Sequence, residues 1–226
     1  MLLDAGLLHN HIESCAALGE AAIAAQVPIE PLLLALNREL YPASYDGAAY
    51  RNLTLSAMLQ LLEEQHRDFV ERRLPHLELI SRRLQQDVLT SSATLERITA
   101  LILQLKASLT AHILEEQEEL FGHVRRMQDF LLNNETGDEV KKGLGLPSPC
   151  RHLIRDDEDS NIFLELRSLT NDYHAPAGSG IMLKHLFNEL ERFETDLQRH
   201  ENAEMEILLG KVLSLEDQVL ERLSSL

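Results

Sequence analysis

The sequence predicts an all-α chain, folded as an up-down-up-down four-helix bundle behind an N-terminal helical segment. Three observations carry this. Trp is absent and aromatic residues make up only 4% of the chain, while Leu is abundant. Apolar residues recur at steps of three and four, the period of a helix face, and seldom alternate as they would in a half-buried strand. At 226 residues the chain can bury a sizeable core. Residues 1–50 read as the N-terminal helical segment with its linker, and 51–226 as the bundle.

The N-terminal segment has an Ala-rich stretch over 16–25, and Pro28-Ile29-Glu30-Pro31 opens a short helix through Leu32 to Leu40. Tyr41 to Gly47 follows as a linker, rich in turn-forming residues. The first bundle helix is expected over about 54–84, with Leu55, Leu59, Leu62, His66 and Phe69 inward. The second is expected over about 92–132, with Ser92 as its N-cap. Residues 133–149 are polar and contain Gly and Pro, which makes them the longest loop. A third helix is expected over about 150–169 with Phe163 and Leu166 inward, a stripe that runs back to Asp159, Asp156 and His152. The fourth is expected over about 180–223.

Two of these helices interrupt an apolar stripe in the same way. Ile98, Ile102, Leu105 and Leu109 lead to His112 and Glu116, and Leu186, Leu190, Phe193 and Leu197 lead to His200 and Glu204. Each His and Glu lie one turn apart on one face, so two antiparallel helices could converge four donors, as bundles do when they hold metals. Spacing alone is weak evidence: ten His and 25 Glu in 226 residues predict about one His-x-x-x-Glu match by chance, and there are four. Position on the stripe separates His112/Glu116 and His200/Glu204 from His9/Glu13 and His185/Glu189. A buried polar site follows as the expectation, because unpaired buried charge is costly. By contrast His123 reads as a solvated helix-end residue and His174 as a surface turn residue. The run Asp156-Asp157-Glu158-Asp159 reads as mostly solvated acids at a helix start.

Net charge bounds the partners. At −16 the chain repels phosphate backbones and anionic lipid, so neither nucleic acid nor membrane is an expected partner. No run approaches the ~18 apolar residues of a membrane span. The start, Met1 to Gly6, lacks the cationic residues of a secretory signal, and a cytoplasmic location is expected. Cys15 and Cys150 make no disulfide framework and are expected as reduced thiols.

The stretch Leu169-Thr170-Asn171-Asp172-Tyr173 through Pro176 is one element of a longer pattern. Phe193-Glu194, Asp196-Leu197, His200, Glu204, Ile207-Leu208 and Leu215-Glu216 continue it, with His112 to Glu116, Leu120-Phe121 and Leu74-Pro75 elsewhere. Over about residues 53–217 this pattern resembles the di-iron iron-sulfur-cluster repair proteins of the hemerythrin-like superfamily. The resemblance implies four His and two bridging Glu around two irons. His112, Glu116, His200 and Glu204 match four of those six positions. Counting back from Leu74-Pro75 puts the first-helix ligand at Arg67, with His66 just before it, and counting back from Leu169-Thr170 puts the third-helix ligand at Asp156. The family's paired-cysteine motif is reduced here to Cys15, which reads as a packed residue of an Ala-rich helix.

The apolar rhythm disagrees with the first of these counts. It aligns His66 with Leu62 and Phe69 and turns Arg67 about 100° away. On the rhythm, His66 is a ligand and Asp156 and His152 complete an oxygen-rich site suited to harder metals. On the family count, Arg67 among Glu116, Glu204 and Asp156 would neutralise the acids in place of an ion.

Two functions follow. One, which the resemblance implies, is an iron-loaded protein, with two irons or a single metal, acting on iron-sulfur proteins, nitric oxide or oxygen in the response to nitrosative and oxidative stress. The alternative is a metal-free relative in which Arg67 replaces the ions and the bundle serves as a binding or regulatory module. A weaker third reading is a structural bundle that associates through exposed apolar surface, as a homodimer would. No catalytic residue is assigned.

Overall fold

The computed structural model describes residues 48–86, 92–133 and 157–225, without the side chains of 48, 49, 133 and 157–160. The N-terminal segment, Cys15, Cys150, His152, Asp156 and the 134–149 loop lie outside the described residues. Within them the chain is helical with no strand: a short α1 (Ala48–Arg51) and four longer helices. Helix α2 (residues 55–86) runs as α-helix over Leu55–Arg67, opens into a π-turn over Asp68–Arg73 and resumes over Leu74–Gln86. Helix α3 (residues 93–133) does the same, with Ala93–Glu116, a π-turn at Gln117–Phe121 and Gly122–Asn133. Helix α4 is Asp157–Thr170. Helix α5 (residues 181–224) consists of Ile181–Ala203, a π-turn at Glu204–Leu208 and Leu209–Ser224.

The ends follow from local chemistry. Thr54 Oγ1 accepts the Ala57 N–H at 3.2 Å and Ser92 Oγ accepts the Leu95 N–H at 3.2 Å, each satisfying a donor that a first helical turn leaves open. Helix α4 stops in a left-handed turn, with φ of 52° at Asn171, 52° at Asp172 and 62° at Tyr173. Asn and Asp tolerate that conformation, whereas Tyr is held in it. Its N–H donates to Thr170 Oγ1 at 3.0 Å and its hydroxyl to Glu194 Oε2 at 2.7 Å.

Two compact units divide these helices. Among the described residues one comprises 60–86, 92–115 and 157–200, and the other 48–59, 116–133 and 201–225. The first is built on Phe69, Leu77, Ile102, Leu105, Leu166, Leu190, Phe193 and Leu197, all buried in one cluster. The second buries Met58, Phe121, Val124, Phe130, Leu208, Val212 and Val219, where the ends of α3 and α5 pack together.

Helix α3 corrects one expectation. Over residues 93–132 it contains an 18-residue window of mean hydropathy 1.2, so by length and composition it could cross a membrane. Only 39% of that window is buried: Ile98, Leu101, Ile102, Leu105 and Leu109 face the core, while Leu114 is 54% exposed.

Candidate metal centre

The α-helix of α2 carries Gln65 and His66 in its last turn before the π-turn. His66 is buried, as the apolar rhythm requires, and Arg67 one residue on is exposed. Facing His66 from α5 is His200, also buried, with the two Nε2 atoms 2.8 Å apart and the rings edge to face at 4.6 Å. Phe69 closes the other side of the His200 ring, edge-on at 5.4 Å and 89°. The remaining ring nitrogen, Nδ1 of His200, meets Gln65 Oε1 at 2.8 Å. Both rings are therefore clamped by packing and hydrogen bonding.

Two acids complete the group. Glu116 ends the α-helical part of α3 and is 1% exposed; Glu204 lies one turn beyond His200 and is 5% exposed. One ligand atom from each of His66, Glu116, His200 and Glu204 lies within 4.8 Å of all the others. Carboxyl groups this deep must either take up protons or face a cation, since an uncompensated buried charge costs several kcal/mol.

The donor set suits a transition ion. Imidazole and carboxylate together bind iron, manganese and zinc. The 2.8 Å between the two Nε2 atoms is a hydrogen-bond distance, which shows that the two ring nitrogens face each other inside the group.

Each arm of the group is followed at once by a π-turn. The diagnostic bonds skip five residues: Leu74 N–H to Phe69 O, Gly122 N–H to Gln117 O and Leu209 N–H to Glu204 O. A π-turn inserts one residue into an α-helix and occurs often at functional sites. In α2 the extra residue shows in the sequence as a five-residue step between buried Phe69 and Leu74, just before Pro75, whose nitrogen has no hydrogen to donate. In α3 and α5 no comparable break marks it.

The structure thus gathers Glu116, His200 and Glu204 with His66. His112 is half-buried and lies outside this group. The reason is a change of step, because burial on α3 passes from Leu109 to Ile113 and then Glu116. An ideal helix drifts about 20° per heptad from a strict three-four alternation, so an extra step of four keeps a long stripe on one side. Asp156 and His152 are outside the described residues. The arginine alternative loses its premise, because Arg67 is exposed to solvent. Arg67→Ala is accordingly expected to change unfolding free energy by no more than about 0.5 kcal/mol in a denaturant titration.

The other histidines divide. His174 is exposed, its Nδ1 against Asn171 O at 3.2 Å and Asp172 O at 2.7 Å, which fits a surface turn residue. His185 is exposed beside His76 with ring centroids 5.7 Å apart, off the stripe as expected. His123 is corrected: it is buried, with Nε2 3.8 Å from Glu216 Oε1, because the last part of α3 packs against α5. Sequence reasoning missed Gln65, which sits off the apolar stripe and carries no periodic signal. No protein-family model matches the chain, and no curated protein is detectably similar to it in sequence.

Proposed function

We propose that this chain is a hemerythrin-like metal-binding protein, its helices arranged up-down-up-down, that holds iron, or manganese in its place, at His66, Glu116, His200 and Glu204. The single observation behind the reading is the convergence of those four buried donors. It is supported by the pairing of His66 with His200 and of His76 with His185, which runs α2 and α5 antiparallel over that stretch. It is supported as well by three π-turns that each adjoin a member of the group.

The two imidazoles and two carboxylates would hold the ion, and the ion would supply an open position and a redox couple. The residues do the remaining work. The carboxylates match the charge of a divalent cation, and the clamped rings present nitrogen without reorganising. The packed shell, with Phe69 against His200, excludes bulk water. By its resemblance over about residues 53–217, the protein serves in iron-sulfur-cluster repair under nitrosative or oxidative stress. Its partners on this reading are iron-sulfur proteins, nitric oxide or oxygen.

The test is metal content after anaerobic production with iron or manganese supplied. One or more ions per chain is expected, with an oxo-bridged absorption band on oxidation if two irons are held. Well under one ion per chain overturns the proposal.

A further inference from the structure

We infer, resting on the metal-binding reading above, that Gln65 is a positioning residue of this site: it sets the tautomer of His200 and leaves that ring's Nε2 unprotonated, an acceptor towards His66 Nε2 that a divalent cation can take over. An amide oxygen has lone pairs and no hydrogen, so in the 2.8 Å contact between Gln65 Oε1 and His200 Nδ1 the proton is on the ring. A neutral imidazole carries one N–H. With it on Nδ1, Nε2 is an acceptor, and this is the atom 2.8 Å from His66 Nε2 within the four-donor group. The opposite tautomer would point a hydrogen at the place where the ion must sit.

The ring cannot evade this assignment by turning. Phe69 meets it edge-on at 5.4 Å and His66 at 4.6 Å. Gln65 and His66 are consecutive on α2, so their side chains leave the helix about 100° apart. One supplies a ligand of its own, and the other reaches the back of the ligand from α5. The acceptor is also uncharged. A carboxylate behind the imidazole would raise the negative charge on the site, whereas an amide leaves the two Glu as the countercharge for an ion of charge two.

The test compares wild type, Gln65→Leu and Gln65→Glu. Affinities for Mn(II) and Fe(II) are measured anaerobically by chelator competition, and the His200 tautomer by nitrogen-proton NMR of the metal-free protein. Gln65→Leu is expected to weaken binding by about 10–100-fold, the usual cost of losing an outer-shell partner. It should also lose the Nδ1–H signature. Gln65→Glu restores an acceptor and is expected to recover both the affinity and the Nδ1–H signature; since Glu also has the shape of Gln, it is the tautomer signal that separates the hydrogen bond from packing. A wild type that binds the ion equally with Gln65→Leu overturns the role of Gln65, as does a metal-free His200 protonated on Nε2. A wild type that binds no ion while His200 shows the Nδ1–H tautomer overturns the metal reading and leaves the hydrogen-bond assignment standing.

Discussion

His200→Ala is expected to abolish ion uptake, and His66→Ala to do the same, while His112→Ala leaves it within a few-fold of wild type. The two losses follow from geometry: His66 and His200 are the nitrogen donors of the group, 2.8 Å apart, and both are buried. Without either, two carboxyl groups and one ring remain, and half of the group's imidazole nitrogen, the ligand type that suits iron, is gone. The affinity lost should exceed the roughly 10–100-fold that an outer-shell partner costs. His112 is the informative control because sequence spacing and family resemblance both rank it beside Glu116, yet it is half-buried and outside the group. Ion content per folded chain is the measurement, with circular dichroism to confirm that each variant retains its helices. A His112→Ala protein that loses its ion while His66→Ala keeps it would show that the first-helix histidine is not a ligand.

The same histidines show where the sequence speaks and where it does not. On α5 a single rhythm runs through Leu186, Leu190, Phe193, Leu197, His200 and Glu204, and every one of these is buried. The polar interruption could be read there because the stripe needed no extra step before reaching it. On α3 the same rhythm held through Leu109 and then slipped to Ile113, so the acid was legible and its histidine partner was not. His66 emerged from periodicity against the family count, because a rhythm anchored on Leu62 and Phe69 is a local packing constraint. A count carried back across residues 68–73 has to cross the extra residue of a π-turn. Helix limits were read well where a capping side chain marked them, as at Thr54 and Ser92. Gln65 acts through one hydrogen bond from beside the stripe, and nothing in composition or period singles it out.

Glu194→Ala is the substitution expected to cost most stability. Glu194 is 5% exposed and accepts three hydrogen bonds: Arg167 donates through Nε at 3.1 Å and through Nη2, and the Tyr173 hydroxyl donates at 2.7 Å. Burial first, and then the neighbouring Glu194 charge, push the Tyr173 phenol well above its ordinary value. It therefore stays a protonated donor throughout the neutral and mildly alkaline range. A group whose folded value is raised contributes fully below its unfolded value, near 10, so this pair should hold at all physiological pH. Removing the carboxylate strands the buried hydroxyl and unpairs the guanidinium. Arg167 is 38% exposed, so water recovers part of that loss. The estimate is thus roughly 2–4 kcal/mol, below the cost of breaking a fully buried ion pair. In a chain of this size that is about 4–16 °C in Tm. The loss also frees the left-handed turn at residues 171–173, since Tyr173 is held at φ 62° partly by this hydroxyl bond. Glu194→Gln keeps the shape and an acceptor for the hydroxyl, so it should lose less than Glu194→Ala. Ion uptake per folded chain should be unchanged in both. A melting curve within a degree of wild type for Glu194→Ala would mean that the three bonds add nothing beyond what water supplies.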